Sequence, residues 1–247
     1  MKLADILDYL NTISPFELQE KWDNSGLIVG DLKKEIKNVV VSIDIDENLI
    51  NNATKNTLFI VHHPLIFGGL KSLEFSKYPA NLIQKLILKE QSLIAMHTNF
   101  DKTHLNSYVF SEVLGLDVDK QTDFICQTSK EFSYNELILK VKNAFNLKQL
   151  RVVNKKEKIR GVALTTGAGA SLMDLVDVDC FLTGDIKYHD AIKAQNQDLM
   201  LIDISHFESE RFFANIMQNL LKTLPISVII SESKNPFTIS PFTKDKI

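Results

Sequence analysis

The stretch Thr57-Leu58-Phe59-Ile60-Val61-His62-His63-Pro64 indicates the fold of this chain and the place of its functional site. Its first five residues form a mostly apolar run that predicts a short buried strand. Neighbouring side chains on a regular strand point to opposite faces, so His62 and His63 can converge only if the strand has ended. Pro64 supports that ending, because it cannot donate a hydrogen bond to a neighbouring strand.

Two other predicted strands also end in a histidine. His97-Thr98-Asn99-Phe100-Asp101 follows a strand predicted at 93–96, and His206-Phe207-Glu208-Ser209-Glu210 follows one at 199–204. In both motifs a carboxylate comes four residues after the histidine. Since ligands of open α/β sheets bind outside the carboxyl ends of the strands, these side chains occupy the positions where a site is expected.

Strand and helix patterns alternate along the chain, which predicts an α/β fold. The three strands 39–43, 58–61 and 93–96 resemble the three strands 161–164, 180–182 and 199–204 in order and in their polar ends. We therefore predict two similar α/β halves with the site in the cleft between them. The first half spans 1–125 and can be completed by the C-terminal segment, and the second spans 126–247. The predicted helices are 3–13, 47–55, 78–90, 105–114, 135–145, 170–176, 188–195 and 207–221, and the other predicted strands lie near 124, at 150–153 and at 226–230.

Composition limits the classes of protein to consider. The chain has 247 residues, 45% of them hydrophobic, and a net charge of -3, which argues against a general nucleic-acid binder. No segment predicts a membrane helix, and Asp5 and Asp8 interrupt the apolar N-terminus, so it does not resemble a signal peptide. Cys126 and Cys180 are far apart and form no CxxC pattern. We expect a soluble cytoplasmic protein.

The clustered residues have the chemistry of a divalent-metal site. Imidazole and carboxylate groups suit zinc, manganese, iron or cobalt. Five or six ligands favour two ions, with a carboxylate such as Glu210 as the bridge, and paired ions favour hydrolysis. The alternative for each four-residue spacing is a hydrogen bond on one helix face. The candidate ligands are His62, His63, Asp101, His206 and Glu210, with His97 as a sixth.

Three other features are less specific. His104 belongs to no motif, and we expect it to be a structural or solvent-exposed residue. The loop Gly167-Ala168-Gly169 could present amides to a phosphate, but a tight turn is the simpler interpretation. The cluster Trp22-Asp23-Asn24-Ser25-Gly26 could line the cleft or simply form a turn.

Five ordered motifs closely resemble the NIF-three-like family, which carries the label GTP cyclohydrolase I type 2. The resemblance spans nearly the whole chain and implies two related α/β halves, a dinuclear metal centre and a ring-shaped homohexamer. It also implies that the inserted third domain of longer members is absent. The motifs are Trp22-Asp23-Asn24-Ser25-Gly26-Leu27, His62-His63-Pro64-Leu65-Ile66-Phe67, His97-Thr98-Asn99-Phe100-Asp101, Leu182-Thr183-Gly184-Asp185-Ile186-Lys187-Tyr188-His189 and His206-Phe207-Glu208-Ser209-Glu210.

The resemblance also implies roles for single residues. It makes ligands of the five candidates above and places His97 and His189 outside them, in proton transfer or ligand support. The chain departs from the family in having Tyr188 before His189 and Ser205 before His206, where many members have histidine and glycine.

These observations lead to a first hypothesis and two alternatives. The first is a metal-dependent hydrolase that acts on a small, nucleotide-like substrate with two divalent ions of zinc, manganese or iron. The second is a metal-binding scaffold or metal-delivery protein without turnover, and the third is an oxidase that uses iron. An enzyme requires a proton-transfer group beside the metal, whereas a storage protein tolerates its loss.

Overall fold

Two β-sheets form the framework of the protein in a computed structural model that describes residues 1–231 and 233–238. The strands are β1 (Gly26–Val29), β2 (Asn38–Ser42), β3 (Thr57–Val61), β4 (Ser92–Ala95), β5 (Lys120–Gln121), β6 (Cys126–Ser133), β7 (Arg151–Val153), β8 (Lys158–Leu164), β9 (Cys180–Thr183), β10 (Met200–Asp203) and β11 (Ser227–Ile230). The α-helices are Leu3–Ile13, Glu47–Asn52, Ala80–Leu88, Tyr134–Phe145, Tyr188–Asn196, His206–Glu210 and Phe213–Leu221, together with a helical segment at 98–113. Short 3₁₀ helices lie at Phe16–Leu18 and Ala170–Leu175.

The first sheet has the strand order β1-β4-β3-β2-β11. Strands β11, β2, β3 and β4 are parallel, and β1 is antiparallel to β4. All five residues of β3 are buried, as expected for a central parallel strand that is covered on both faces. The carboxyl ends of β3 and β4 therefore lie side by side and release His62 and His97 at one edge.

The second sheet has the order β5-β6-β8-β9-β10-β7 and repeats this plan. Strands β8, β9 and β10 are parallel, and β7 is antiparallel to β10, as β1 is to β4. The predicted α/β class with two similar halves is confirmed. Strand β11 comes from the end of the chain and pairs with β2. The boundary near residue 125 stays a prediction, and residues 232 and 239–247 of the predicted second half lie outside the described part.

One apolar core contains buried residues of both sheets, among them Ile60, Ile94, Leu182 and Ile202. Helix Phe213–Leu221 belongs to this core and buries Phe213 completely. Because the two sheets share one core, their strand ends have fixed positions relative to one another. None of the helices in the described residues has the length and apolar character needed to cross a membrane.

Several predicted boundaries were wrong. The helix predicted at 105–114 begins at Thr98 and includes two π-helical stretches, Asp101–Leu105 and Val109–Val113. The helix predicted at 207–221 is interrupted at residues 211–212. Strand β1 was missed, because its four half-buried residues follow a turn-forming polar cluster and have no alternating pattern.

Candidate metal centre

Four imidazoles converge where the strand ends of the two sheets meet. The backbone N–H groups of His62 and His63 both donate to the carbonyl oxygen of Ile43, each at 3.0 Å, so the regular strand has ended before them. This allows both rings to face the cleft, with centroids 5.0 Å apart. The ring of His97 lies 5.1 Å from that of His62, and the ring of His206 lies 5.3 Å from that of His63.

Glu210 lies at the centre of this group, and its side chain is only 4% exposed. Its Oε2 is 3.0 Å from Nε2 of His63 and 2.9 Å from Nε2 of His206. Its Oε1 faces the other way, 3.8 Å from Nε2 of His62. The two oxygens of one carboxylate are thus directed at different imidazoles.

Gly167 makes room for this carboxylate. A Cβ atom at this position would lie 2.0 Å from Oε1 of Glu210, and the backbone has a φ of +61°, which favours glycine. The glycine-containing loop that the sequence presented as a turn or a phosphate cradle therefore forms the wall behind Glu210.

Asp101 lies in the first turn of the helical segment 98–113, at the start of a π-helical stretch. Its Oδ1 is 3.4 Å from Nε2 of His62. Both atoms are buried, and neither has a hydrogen-bond partner among the described residues. Unpartnered buried polar atoms are rare in native proteins and require an explanation, such as an ion.

Each of the four imidazoles directs Nδ1 at an oxygen acceptor outside the cluster. Such a contact holds the hydrogen on Nδ1 and leaves the lone pair of Nε2 directed inward, which is the usual support of a metal-binding histidine. The four contacts are His62 to the carbonyl oxygen of Met96 at 2.8 Å, His63 to Asp44 at 2.8 Å, His97 to Asp23 at 2.8 Å and His206 to Asp185 at 2.7 Å.

The charges of the cluster are strongly coupled. The hydrogen bond with Glu210 raises the pKa of His206 to about 9, although burial opposes this. Burial lowers the pKa of His62, but the interactions with Asp101 and Glu210 together outweigh it and hold that pKa well above its usual value. Burial would raise the pKa of Glu210, and the surrounding imidazoles keep it well below its usual range. Protons therefore balance the buried carboxylates when no cation does.

The donor set fits divalent metal ions. Ligand atoms about 2.1 Å from a tetrahedral ion lie roughly 3.4 Å from one another. The separations within the group of His63, His206 and Glu210 range from 2.9 to 3.3 Å. A second group of ring nitrogens, from His62, His63 and His97, lies within 4.8 Å of one another.

A cavity of about 450 Å³ opens beside the cluster. His63, Asp101 and Glu210 form part of its wall, and the aromatic rings of Trp22 and Phe67 form another. The cluster is therefore open to a small molecule on this side.

The structure brings most of the predicted site residues together. His62, His63, Asp101, His206 and Glu210 meet at one point, and His97 borders them. It does not bring His189 to the cluster: the side chain is exposed and contacts the ring of Tyr188. His104 stacks on Phe100 and hydrogen-bonds Thr103, away from the cluster.

Sequence reasoning missed the three carboxylates that contact Nδ1 atoms. Asp23 belongs to a motif that the sequence singled out, but its partner His97 is 74 residues away. Its side chain is fully buried. Burial would raise the pKa of Asp23, but its hydrogen bonds with His97 and Thr98 lower it well below its usual value. Asp44 and Asp185 follow strands β2 and β9, and strand-end position is the signal that could have identified them.

Comparison with known proteins places these features in a family. The family model described as Duf34/NIF3 (NGG1p interacting factor 3) matches residues 1–236. A Campylobacter jejuni protein named GTP cyclohydrolase 1 type 2 homolog is 48% identical over 96% of this chain and 99% of its own length. A Helicobacter pylori protein named GTP cyclohydrolase 1 type 2 is 41% identical, over 96% and 98%. The crystal structure of a Staphylococcus aureus hypothetical protein superposes with a TM-score of 0.84 at 27% identity, covering 97% of this chain and 99% of that one.

Proposed function

The chain belongs to the Duf34/NIF3 family, and we propose that it is a dinuclear divalent-metal protein that catalyses hydrolysis of a small, nucleotide-like substrate. The observation that carries this proposal is the direction of the four histidine rings. Each ring places Nδ1 on an oxygen acceptor outside the cluster and Nε2 toward the cluster. The relatives' names, which include GTP cyclohydrolase, support the nucleotide-like substrate.

Two ions are favoured by the way the donors divide around Glu210. Its Oε2 faces His63 and His206, whereas its Oε1 faces His62 and, next to it, Asp101. We assign these five residues as the ligands and Glu210 as the bridge. Zinc, manganese and iron all accept this combination of nitrogen and oxygen donors.

Bound divalent ions would supply Lewis-acid chemistry, by polarising the group under attack and lowering the pKa of water. The protein supplies the proton transfer. Asp23 accepts the hydrogen bond from Nδ1 of His97, so Nε2 of His97 can accept a proton from a molecule in the cavity or return one to it. Trp22 and Phe67 lie against the same ring and limit its movement.

Metal content tests the first part of the proposal. Protein purified without chelator should contain about two divalent ions per chain by elemental analysis. Glu210→Gln should lose at least one of them, whereas Glu208→Gln should keep both, because Glu208 lies on the same helix and bonds Asn235 instead. Far less than one ion per chain in the parent protein would refute the metal centre.

Turnover tests the second part. A metabolite screen with the metal-replete protein should find a substrate whose hydrolysis disappears in Glu210→Gln and in His97→Gln. His97→Gln should retain its metal ions. If both variants retain the turnover, the site assignment is wrong. A protein that binds two ions but turns over no substrate would favour metal delivery or a scaffold role.

The other expectations from the resemblance are part of the same proposal. We propose a homohexamer, supported by exposed apolar side chains in and beyond the loop after His63, such as Leu73 and Leu88. Light scattering should then give about 170 kDa for six chains of 28.0 kDa each. We also propose that the protein works in the cytoplasm, where Cys126 and Cys180 would remain free thiols, as they are in the structure.

A further inference from the structure

One buried amide joins the two halves of the protein beside the metal cluster. Asn106 is 1% exposed and directly follows the π-helical stretch Asp101–Leu105. It also borders the cavity that opens beside the cluster. Because buried polar side chains are nearly always hydrogen-bonded, the partners of this amide indicate what it does.

The donor side of the amide holds the turn that carries Asp101. Nδ2 of Asn106 donates to the carbonyl oxygen of Asp101 at 3.1 Å. The backbone N–H of Asn106 donates to the same oxygen, which closes the π-helical turn. Such turns are rare and occur frequently at functional sites. The second hydrogen bond therefore secures the turn in which Oδ1 of Asp101 faces His62.

The acceptor side of the amide reaches the second half of the chain. Oδ1 of Asn106 accepts hydrogen bonds from the backbone N–H of Thr166 at 2.8 Å and from its hydroxyl at 3.0 Å. Thr166 comes shortly after strand β8 and directly precedes Gly167, which makes room for Glu210. Asn106 thus fixes the loop that forms the wall behind the bridging carboxylate.

Hydrogen bonds continue from Gly167 to the helix that carries Glu210. The N–H of Gly167 donates to Oγ of Ser209 at 2.9 Å, and this hydroxyl donates to the carbonyl oxygen of His206 at 2.8 Å. Ser209 is fully buried and directly precedes Glu210. A buried path of hydrogen bonds therefore connects Asp101 with His206 and Glu210, although these residues come from different halves of the chain.

We propose that Asn106 is a positioning residue of the metal centre, which fixes Asp101 relative to Glu210 and so completes the ligand set of the ion beside His62. The inference rests on the proposed function for the two ions, and it adds a residue outside the five ligands. Hydrogen-bonded partners of this kind orient ligands, and their loss typically lowers metal affinity about 10–100-fold. A purely structural amide would only join the helical segment 98–113 to the second sheet.

Metal affinity distinguishes these two roles. Asn106→Ala removes both the donor to Asp101 and the acceptor of Thr166. The metal-free protein would be titrated with zinc in competition with a chromophoric chelator. One zinc ion should bind about 10–100-fold more weakly than in the parent protein. The other should keep its affinity, because its ligands His63 and His206 are not held by Asn106.

Gln91→Ala is the matched control for the loss of a buried amide. Gln91 is 2% exposed, and its Nε2 donates to the carbonyl oxygens of Ile50 and Ala53 at 3.1 and 2.9 Å. It lies before the amino end of strand β4, whereas the cluster lies at the carboxyl end. Both variants should lower the Tm, but only Asn106→Ala should lower metal affinity.

Manganese supplies a readout that a structural role would not change. Two manganese ions bridged by one carboxylate are magnetically coupled, whereas an isolated ion shows its own hyperfine lines in electron paramagnetic resonance. The parent protein and Gln91→Ala, loaded with manganese, should give the coupled spectrum. Asn106→Ala at the same manganese concentration should show the lines of an isolated ion.

Thr166→Val tests the same link without removal of the amide. Valine keeps the shape of the side chain and the backbone N–H but lacks the hydroxyl that donates to Asn106. Its effect on the affinity for the same ion should be smaller, about two- to tenfold, as for the loss of one hydrogen bond. In the Asn106→Ala background the substitution should have no further effect, because this hydrogen bond is already absent.

The inference is overturned if Asn106→Ala binds both zinc ions with the parent's affinity while its Tm falls as in Gln91→Ala. If Asn106→Ala does not fold, Thr166→Val decides: weakened binding of one ion supports the inference, and unchanged affinity for both overturns it. These failures leave the proposed function standing, because the parent protein still holds two ions. A parent protein with far less than one ion per chain refutes the proposed function, and the inference with it.

Discussion

Substitution of Gly167 by alanine should distinguish the effect of Glu210 on metal affinity from an effect on the stability of the fold. The new Cβ would lie 2.0 Å from Oε1 of Glu210, well inside van der Waals contact. The clash involves the end of a flexible side chain, so the carboxylate can move away by about 1 Å or more while the fold survives. A carboxylate that moves this far no longer lies beside the ring nitrogens of His63 and His206, so it cannot bind the same metal ion as they do.

Two magnitudes follow from this geometry. An alanine with φ near +60° costs about 1–2 kcal/mol, which lowers the Tm by roughly 2–8 °C in a chain of this size. Displacement of Glu210 should reduce metal affinity at least tenfold and up to about a hundredfold, the range found when the support of a ligand is lost. The second effect equals roughly 1.4–2.8 kcal/mol of binding free energy.

Gly68→Ala is the matched control. Gly68 has a φ of +64°, and a Cβ there would meet no atom within 4 Å. Thermal unfolding of the metal-free proteins should therefore show similar losses for both variants. Competition titration with a chromophoric chelator should show weakened metal binding only for Gly167→Ala. If Gly167→Ala binds both ions with the parent's affinity, Glu210 is not a ligand in the position assigned to it.

Three other measurements address the surroundings of the cluster. Metal affinity should rise about tenfold per pH unit between pH 7 and 9 for each proton that the metal displaces, because the raised pKa of His206, about 9, leaves this ring protonated in the metal-free protein. Calorimetry in buffers of different ionisation enthalpy counts the protons released on metal binding. Release of no protons would contradict the assignment of His206 as a ligand. Asp185→Ala should lower metal affinity about 10–100-fold by equilibrium titration, since it removes the acceptor of His206 Nδ1, whereas the surface variant Asp198→Ala should not. Ser205→Gly should raise the free energy of unfolding by about 1 kcal/mol in denaturant titrations. Ser205 has a φ of +64° and a ψ of 148°, a backbone conformation that suits glycine. Ser205→Ala keeps the backbone strain and should show no such gain.

Elements whose burial pattern is local were predictable from the sequence. Helix Leu3–Ile13 and strand Thr57–Val61 have the predicted bounds, because each is defined by an apolar run or stripe of its own. The helical segment 98–113 was not, since the predicted helix began only at residue 105 and left out the motif that carries Asp101. Its packing on the core, where Phe100 is fully buried, decides that this motif is helical.

The convergence of the candidate ligands was predictable because of their residue types and their positions after strands. Their partners were harder to find, since strand-end position marks Asp44 and Asp185 but no spacing in the sequence pairs them with His63 and His206. These contacts depend on how two sheets are placed by a shared core, which is a tertiary property. The same holds for Gly167, whose lack of a side chain has meaning only because Glu210 lies against it.

The two halves of the chain use the same spacing for different purposes. In the second half, His206 and Glu210 lie 2.9 Å apart through Nε2 and Oε2, so both residues of the pair enter the cluster. In the first half Asp101 approaches His62, while His97 is fixed by a fully buried Asp23 and borders the cavity. The difference lies in the acceptor of Nδ1: Asp185 is 55% exposed, whereas Asp23 is inaccessible and receives further hydrogen bonds from Thr98. Because the buried carboxylate of Asp23 cannot turn to solvent, it fixes the ring of His97 in one orientation. A proton-transfer group requires such a fixed orientation. For a histidine that binds a metal ion, the ion itself would impose the orientation.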